Sequence, residues 1–504
     1  MAFVDRRRFL FASAAATLAN LPSLAQTSVH SATATLHPDQ PGPLVPANFL
    51  GLSYETQQLS DPSFFSAQNH GLIAEFRKLA PHGVLRIGGN TSDISWWKAT
   101  AEAQPPEIHV RTTPGEPNAK LAFSIGPEGV RSLRGFLDAT GWTCIYGINL
   151  GTSTPARAVE QAVFVAQTLG GKLEYFQLGN EPDLYRLHLR DPKTWTADGY
   201  LDEWLAMANA VRAAVPTAKF GLPDTGGQTD WYPTLQARLA ASPILPAIAA
   251  LSHHYYFGGP PSNPRVNIEL LLKPSKTVLE AAAGVSALSA ILSKGQARPI
   301  PYRMTEGNTC YQGGKPGVSD VFAAALWAAD YLLLLASLGY AGVNLHGGDG
   351  KIIANGLGGT IPGEALMANP AAPHPRPFYT PIAHVGEDYV AEPVSFGMRF
   401  AQHFAGAAIC KLDFDPGPVN ATAYAAKLRN GSQLLAVVNK DASSGLNLSL
   451  PGAQHHGFRQ VYAISAASLS ARAVSERPIP QPATGLSIPP GCAIVFRLGR
   501  EARV

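Results

Sequence analysis

Residues 144–182 read CIYGINLGTSTPARAVEQAVFVAQTLGGKLEYFQLGNEP. An apolar, β-rich run (Cys144–Leu150) leads through an amphipathic stretch (Ala158–Leu169) into a second β-rich run (Glu174–Asn180). Strand, helix and strand in that order make a βαβ unit, the repeating piece of a parallel sheet.

The unit repeats outward in both directions. Further β-rich runs are Phe49–Glu55 and Val84–Asn90 before it, and Lys219–Leu222, Ala250–Tyr256, Pro301–Glu306 and Gly342–His346 after it. Amphipathic stretches fall between them: Val130–Leu137, Tyr200–Ala214, Val278–Leu292 and Val321–Leu338. Eight such repeats predict an α/β fold, a (β/α)8 TIM barrel over residues 47–406, with all strand ends meeting on one face. Beyond residue 406 the texture changes to short strand-like runs: Tyr424–Leu428, Leu434–Val438, Leu446–Leu450, Arg459–Ile464 and Ala493–Leu498. Asn-Gly, Ser-Ser-Gly and Pro-rich turns separate them, which predicts an all-β sandwich over residues 407–504. The early run Ser31–Leu36, in segment 26–46, has no partner inside a barrel and is expected to add a strand to that sandwich.

Composition narrows the class. The chain has 504 residues, 46% hydrophobic and 15% charged, with 48 Gly and 42 Pro, which excludes disorder, collagen-like repetition and coiled coil. Lys+Arg 39 against Asp+Glu 36 leaves a net charge of +3, too small for the basic face a nucleic-acid binder needs. Cys144, Cys310, Cys410 and Cys492 are too few for a disulfide scaffold and lack zinc-site spacing. A Cys410–Cys492 bridge is one reading and free buried thiols the favoured one. Residues 1–25 carry Arg6-Arg7-Arg8, an apolar run from Phe11 to Leu21 and the small-x-small cut at Ser23-Leu24-Ala25. They are expected to be a twin-arginine signal, sending a folded protein to the periplasm or beyond. Val321–Val343 is apolar but contains Asp330, and is read as a buried helix rather than a membrane span.

Two carboxylates carry the chemistry. Tyr175–Asn180 runs into a Gly-Asn turn with Glu181 just past it, and Tyr302–Thr305 runs into Glu306. The C-terminal ends of barrel strands four and seven open on one cleft, so these side chains should meet there. A glycosidic bond is broken by such a pair: one acid protonates the leaving oxygen, and one carboxylate attacks the anomeric carbon or activates water. Either glutamate alone reads as a cap or a surface charge; together on the right strands they point to catalysis.

Asn180-Glu181-Pro182 followed by Glu306 resembles glycoside hydrolase clan A. Leu85-Arg86-Ile87-Gly88-Gly89-Asn90, His253-His254-Tyr255-Tyr256 and Tyr311-Gln312-Gly313-Gly314 make the chain similar to family 79, the β-glucuronidase and heparanase family. The resemblance implies a retaining mechanism, with Glu181 as acid/base and Glu306 as nucleophile. It implies that Tyr311 and Gly313 bind the uronate carboxylate, with Tyr379 a further substrate-binding residue. Lys315 adds positive charge there, and glycine N–H groups are ready anion donors. Arg86 is the expected cation beside Glu306, Asn180 a donor to the sugar 2-hydroxyl, and Tyr255 the hydroxyl holding Glu306. His253, two residues before Tyr255 and on the same face, is given a supporting role. Glu55 and Asn90 are expected to bind sugar hydroxyls. The long segment Thr91–Gly126 is expected to wall one side of the pocket, which favours removal of a terminal residue.

The reading is therefore a retaining exo-β-glucuronidase acting on glucuronic-acid-containing carbohydrate, without cofactor or metal, and without nucleic-acid or membrane partners. Heparanase-like endo action is the alternative, set second because no basic cluster flanks the expected cleft. Another clan A retaining glycosidase, on xylosides or arabinosides, comes third. A non-catalytic carbohydrate-binding protein comes last, since both glutamates are present.

Overall fold

A computed structural model describes residues 28–108, 121–227, 229–370, 377–451, 458–477, 481–482 and 486–499. The expected signal segment 1–25 and part of the Thr91–Gly126 segment (109–120) lie outside the described residues. Eight parallel strands close into a barrel in chain order: Leu50–Glu55, Val84–Gly88, Thr143–Ile148, Leu173–Leu178, Phe220–Thr225, Ile248–Gly258, Tyr302–Cys310 and Gly342–His346. These are the eight runs read from the sequence, with ends shifted by a few residues. Strand five differs most usefully. It continues through Pro223 to Thr225 rather than stopping at Leu222.

Two register slips shape the mouth of the barrel. One falls between Pro223 and Thr225 of strand five, the other between Met304 and Glu306 of strand seven. An extra residue in one strand re-aims the side chains beside it. Asp224 and Thr305 are the extra residues, and Thr305 Oγ1 donates to Asp224 Oδ1 across the barrel. Thr305 and Glu306, although consecutive, both reach inward.

The second unit is one continuous ten-stranded ladder. The N-terminal strand Ser28–Leu44 lies in its middle, antiparallel to Ala408–Asp415 and parallel to Ser444–Ser449. The expected sandwich is thus one sheet in hydrogen bonding, and its central strands are apolar on both faces because each face is covered. Leu434, Ala436 and Val438 join the barrel core, while Leu435 and Val437 join Ala32, Ala34, Leu446, Leu448 and Ile488 in a second core. Period-two alternation sends successive side chains to opposite faces.

The helix Phe322–Ser337 joins the two units and is almost wholly buried. Its Asp330 explains itself there. The carboxylate accepts from Thr422 Oγ1 (2.6 Å), Tyr424 Oη (2.6 Å) and Lys440 Nζ (2.5 Å), all from the sheet. A second stretch, Ile268–Leu292, is also apolar and long enough by composition to cross a membrane. It is two helices, Ile268–Leu271 and Lys276–Leu292, the second burying Val278, Val285, Leu288 and Leu292 against the barrel. All four cysteines are free and buried, so no Cys410–Cys492 bridge forms.

Candidate active site

Glu181 follows strand four in a left-handed conformation (φ 47°), and Asp224 at the end of strand five shares it (φ 58°). That region costs a non-glycine residue roughly 1–2 kcal/mol, and such strain gathers where a side chain must be held in place. Upstream, two glycines make room. A Cβ at Gly88 would run into the Arg86 guanidinium, and one at Gly89 (φ 73°) into the Glu55 carboxylate.

Arg86 is fully buried at the centre of the site. Its Nη1 donates to Glu306 Oε2 at 2.6 Å, and its Nη2 donates to Asp224 Oδ2 at 2.7 Å and to Asn180 Oδ1 at 2.9 Å. Glu306 also accepts from Tyr256 Oη at 2.8 Å. Burial alone would raise the Glu306 pKa, but the imidazoles of His346 and His254, the Arg86 charge and the Tyr256 hydroxyl lower it to about 2. Glu306 is a held anion. Burial, and then the Glu306 charge, push the Tyr256 and Tyr379 hydroxyls well above the ordinary phenol range, so both stay protonated donors.

His254 stands between the carboxylates. Its Nδ1 lies 2.9 Å from Glu181 Oε1 and its Nε2 lies 3.1 Å from Asp224 Oδ1. Burial would lower its pKa, yet Asp224, then Glu306, and hydrogen bonds to Asp224 and Glu181 raise it to about 10. Both ring nitrogens therefore carry protons at neutral pH. Ligand atoms of Glu181, His254 and Glu306 all lie within 4.8 Å of one another, a spacing that metals use. The same spacing sets the His254 imidazole between the Glu181 and Asp224 carboxylates, the arrangement of an acid–base cluster.

The other expected residues fall at the same mouth, with two corrections. Asn180 offers Nδ2 toward Asn90 Oδ1 at 3.3 Å, and its backbone N–H donates to Asp93 Oδ2 at 3.1 Å. Glu55 Oε2 accepts from the Thr91 N–H (2.8 Å) and hydroxyl (2.7 Å), and its Oε1 is 3.5 Å from His346 Nε2. The described start of the Thr91–Gly126 segment thus braces the site. Tyr379 lies beside Tyr256, ring centroids 6.2 Å apart, and half-exposed Tyr311 lies edge-on to Tyr256 at 6.4 Å. Gly313 and Gly314 both have φ 88°, and neither N–H has a protein acceptor among the described residues. Lys315 Nζ is turned to the Asn263 carbonyl at 2.9 Å.

Tyr255 and His253 are the corrections. Tyr255 does not hold Glu306; its hydroxyl meets Ser275 Oγ at 2.8 Å and its ring stacks on Tyr331 in the helical layer. His253 bonds Tyr340 Oη at 2.8 Å on the same outer side, and burial lowers its pKa to about 4, leaving it neutral. The two do share a face, but the inner face belongs to His254 and Tyr256. Asp224, His254, Tyr256 and His346 were not singled out from sequence. Tyr256 pairs in register with Asn308, two residues beyond Glu306, a relationship that only the folded barrel shows.

No family model matches the chain. It is 32% identical over 306 residues to a β-glucuronidase of Aspergillus niger, covering 58% of this chain and 55% of that one. A β-glucuronidase of Neurospora crassa is 26% identical over 313 residues, covering 57% of this chain and 54% of that one. The chain thus spans about half the length of these curated relatives, 55% and 54%. Among solved structures, a 4-O-α-L-rhamnosyl-β-D-glucuronidase from Fusarium oxysporum 12S superposes with TM-score 0.63 at 17% identity, over 94% of this chain and 100% of that one. A family 51 arabinofuranosidase from Xanthomonas axonopodis pv. citri gives TM-score 0.63 at 14% identity, over 93% and 100%. The chain shares with them a closed parallel barrel joined to an all-β unit. At these identities the superpositions speak for the fold alone.

Proposed function

We propose that this protein is a retaining β-glucuronidase of the family 79 type that removes terminal β-linked glucuronic acid. The observation carrying the reading is the Glu181–Glu306 approach, carboxylate oxygens within 4.8 Å. Retaining pairs stand about 5–5.5 Å apart, whereas inverting pairs stand roughly 6.5–9.5 Å apart to admit water. The sequence similarity to proteins named β-glucuronidase supports the substrate class.

In the first half-reaction a Glu306 oxygen bonds the anomeric carbon as the glycosidic C–O bond breaks, and Glu181 gives its proton to the departing oxygen. In the second, Glu181 takes a proton from water, whose oxygen bonds the anomeric carbon while the Glu306 ester breaks. Esterification cancels the Glu306 charge next to Glu181, which suits one carboxyl to both duties. Arg86 and Tyr256 fix the nucleophile, and Asn180 Nδ2, which also reaches Asn90 Oδ1, donates to the sugar 2-hydroxyl. The uronate carboxylate takes the Tyr311 hydroxyl and the open N–H groups of Gly313 and Gly314. A buried anion without such donors would be costly.

The test is a matched pair, an aryl β-glucuronide and the corresponding aryl β-glucoside. The glucuronide should be cleaved at least about a hundredfold faster, since an unpaired polar pocket rejects the neutral sugar. Equal rates would overturn the substrate assignment. Export by the Arg6-Arg7 segment belongs to the same proposal, and Arg6→Lys with Arg7→Lys should trap the enzyme in the cytoplasm of a bacterial host.

A further inference from the structure

Asp224 lies outside the chemistry just described, yet it is the most heavily bonded carboxylate of the site. The register slip and the left-handed φ of 58° turn it inward. Its Oδ2 accepts from Arg86 Nη2 at 2.7 Å. Its Oδ1 accepts from Gln177 Nε2 at 2.6 Å and from the Thr305 hydroxyl, and lies 3.1 Å from His254 Nε2. Each of those donors comes from a different strand. Asp224 is 2% exposed, and its backbone carbonyl accepts from the Glu181 N–H at 3.1 Å. Among the described residues its carboxylate bonds neither Glu181 nor Glu306 directly. Its two charged partners do. Arg86 reaches Glu306 at 2.6 Å, and His254 reaches Glu181 at 2.9 Å.

We propose that Asp224 is a positioning residue for both carboxylates, aligning Glu306 through Arg86 and Glu181 through His254. This rests on the glycosidase reading. Its physical basis is charge balance in a dry cluster. Arg86 and His254 bring two cations, and Glu306 and Asp224 bring the two anions that face them. Without Asp224, Arg86 and His254 would compete for the single Glu306 anion, and the imidazole would shed its proton. His254 faces Glu181 and Asp224 by hydrogen bond, Arg86 and Glu306 across the barrel, His253 on its own strand and Asp183 beyond Glu181. Burial holds Asp183 up to about 6. The Nε2 side meets Asp224 Oδ1 at 3.1 Å and the Arg86 guanidinium at 3.5 Å, so Asp224 is the anion that offsets Arg86 there. Orientation of this kind, through a third group, also fixes which protons an imidazole carries.

The experiment is Asp224→Asn in the full chain, assayed on aryl β-glucuronides of graded leaving-group acidity. About a ten- to hundredfold loss is expected for poor leaving groups and a smaller one for activated ones, with KM nearly unchanged. The alkaline limb of kcat/KM should move down by at least about one pH unit as His254 loses its partner. Thr305→Val, which removes one donor and keeps the charge, should leave that limb in place. A uniform loss across leaving groups with an unmoved limb would overturn the proposal. Imidazole nitrogen NMR of the wild type, which needs no foldable variant, should show His254 doubly protonated at pH 8; a neutral ring would overturn it too. That signal requires no substrate, so a charged His254 in a protein that cleaves no β-glycoside would condemn the glycosidase reading and not the Asp224–His254 pairing.

Discussion

A carboxylate oxygen of Glu181 lies within 4.8 Å of one of Glu306, although 124 residues of chain lie between them. The closed barrel brings the ends of strands four and seven to one mouth, and Arg86 and His254 then hold the two side chains facing each other.

The pair should separate cleanly by mutation. Glu306→Gln should lower kcat on the order of 10⁴-fold or more for every substrate, because an amide cannot form the glycosyl ester. Glu181→Ala should cost about 10²–10⁴-fold with poor leaving groups and far less with activated ones. Added azide should restore turnover of activated substrates by Glu181→Ala, with the β-glucuronyl azide as product. Steady-state rates across a leaving-group series check both.

Tyr256 and Tyr255 should behave oppositely. Tyr256→Phe deletes the 2.8 Å hydrogen bond to the Glu306 anion and should lower kcat/KM by about ten- to a hundredfold. Tyr255→Phe deletes a hydroxyl contact in the helical layer and should leave kcat/KM within about threefold of wild type.

That pair also shows where the sequence stops being legible. The eight strands announce themselves by alternating with helices, and the glutamates by their place at strand ends. Strand six reads His253-His254-Tyr255-Tyr256, so each face receives one histidine and one tyrosine and hydropathy gives no parity. Asp224 was hidden because Pro223 looked like the end of a strand that in fact runs on to Thr225. His346 sat in plain view on strand eight, but its partners Ser53, Glu55 and Glu306 converge only once the barrel closes. Isolated charge in an apolar helix was more informative. Asp330 argued against a membrane span, and its partners prove to be residues of the second unit.

Asp330→Ala should therefore loosen the join between the two units. It leaves the Lys440 ammonium buried without its carboxylate, a change worth about 3 kcal/mol or more. Urea unfolding should show a lower midpoint, or two transitions where the wild type shows one.

Stability should fall across the neutral range through Glu392. Burial first, with Asp320 adding and Arg472 opposing, raises its pKa from 4.5 to about 7. A folded-state pKa above the unfolded one means that the stability is whole below about pH 4.5 and is lost as pH rises through about 7. Glu392→Gln removes that loss. The variant should exceed wild type by on the order of 2 kcal/mol at pH 8 and match it at pH 4.5, read by chemical denaturation at both values.

The stereochemistry of the first-formed sugar bears most directly on the carboxylate pair. An aryl β-glucuronide should be hydrolysed in an NMR tube and its anomeric protons followed before mutarotation intervenes. Two displacements at one carbon, the first by Glu306, require β-glucuronic acid to appear first and the α-anomer to grow in slowly. Initial release of the α-anomer would mean a single displacement by water, and would contradict nucleophilic attack by Glu306.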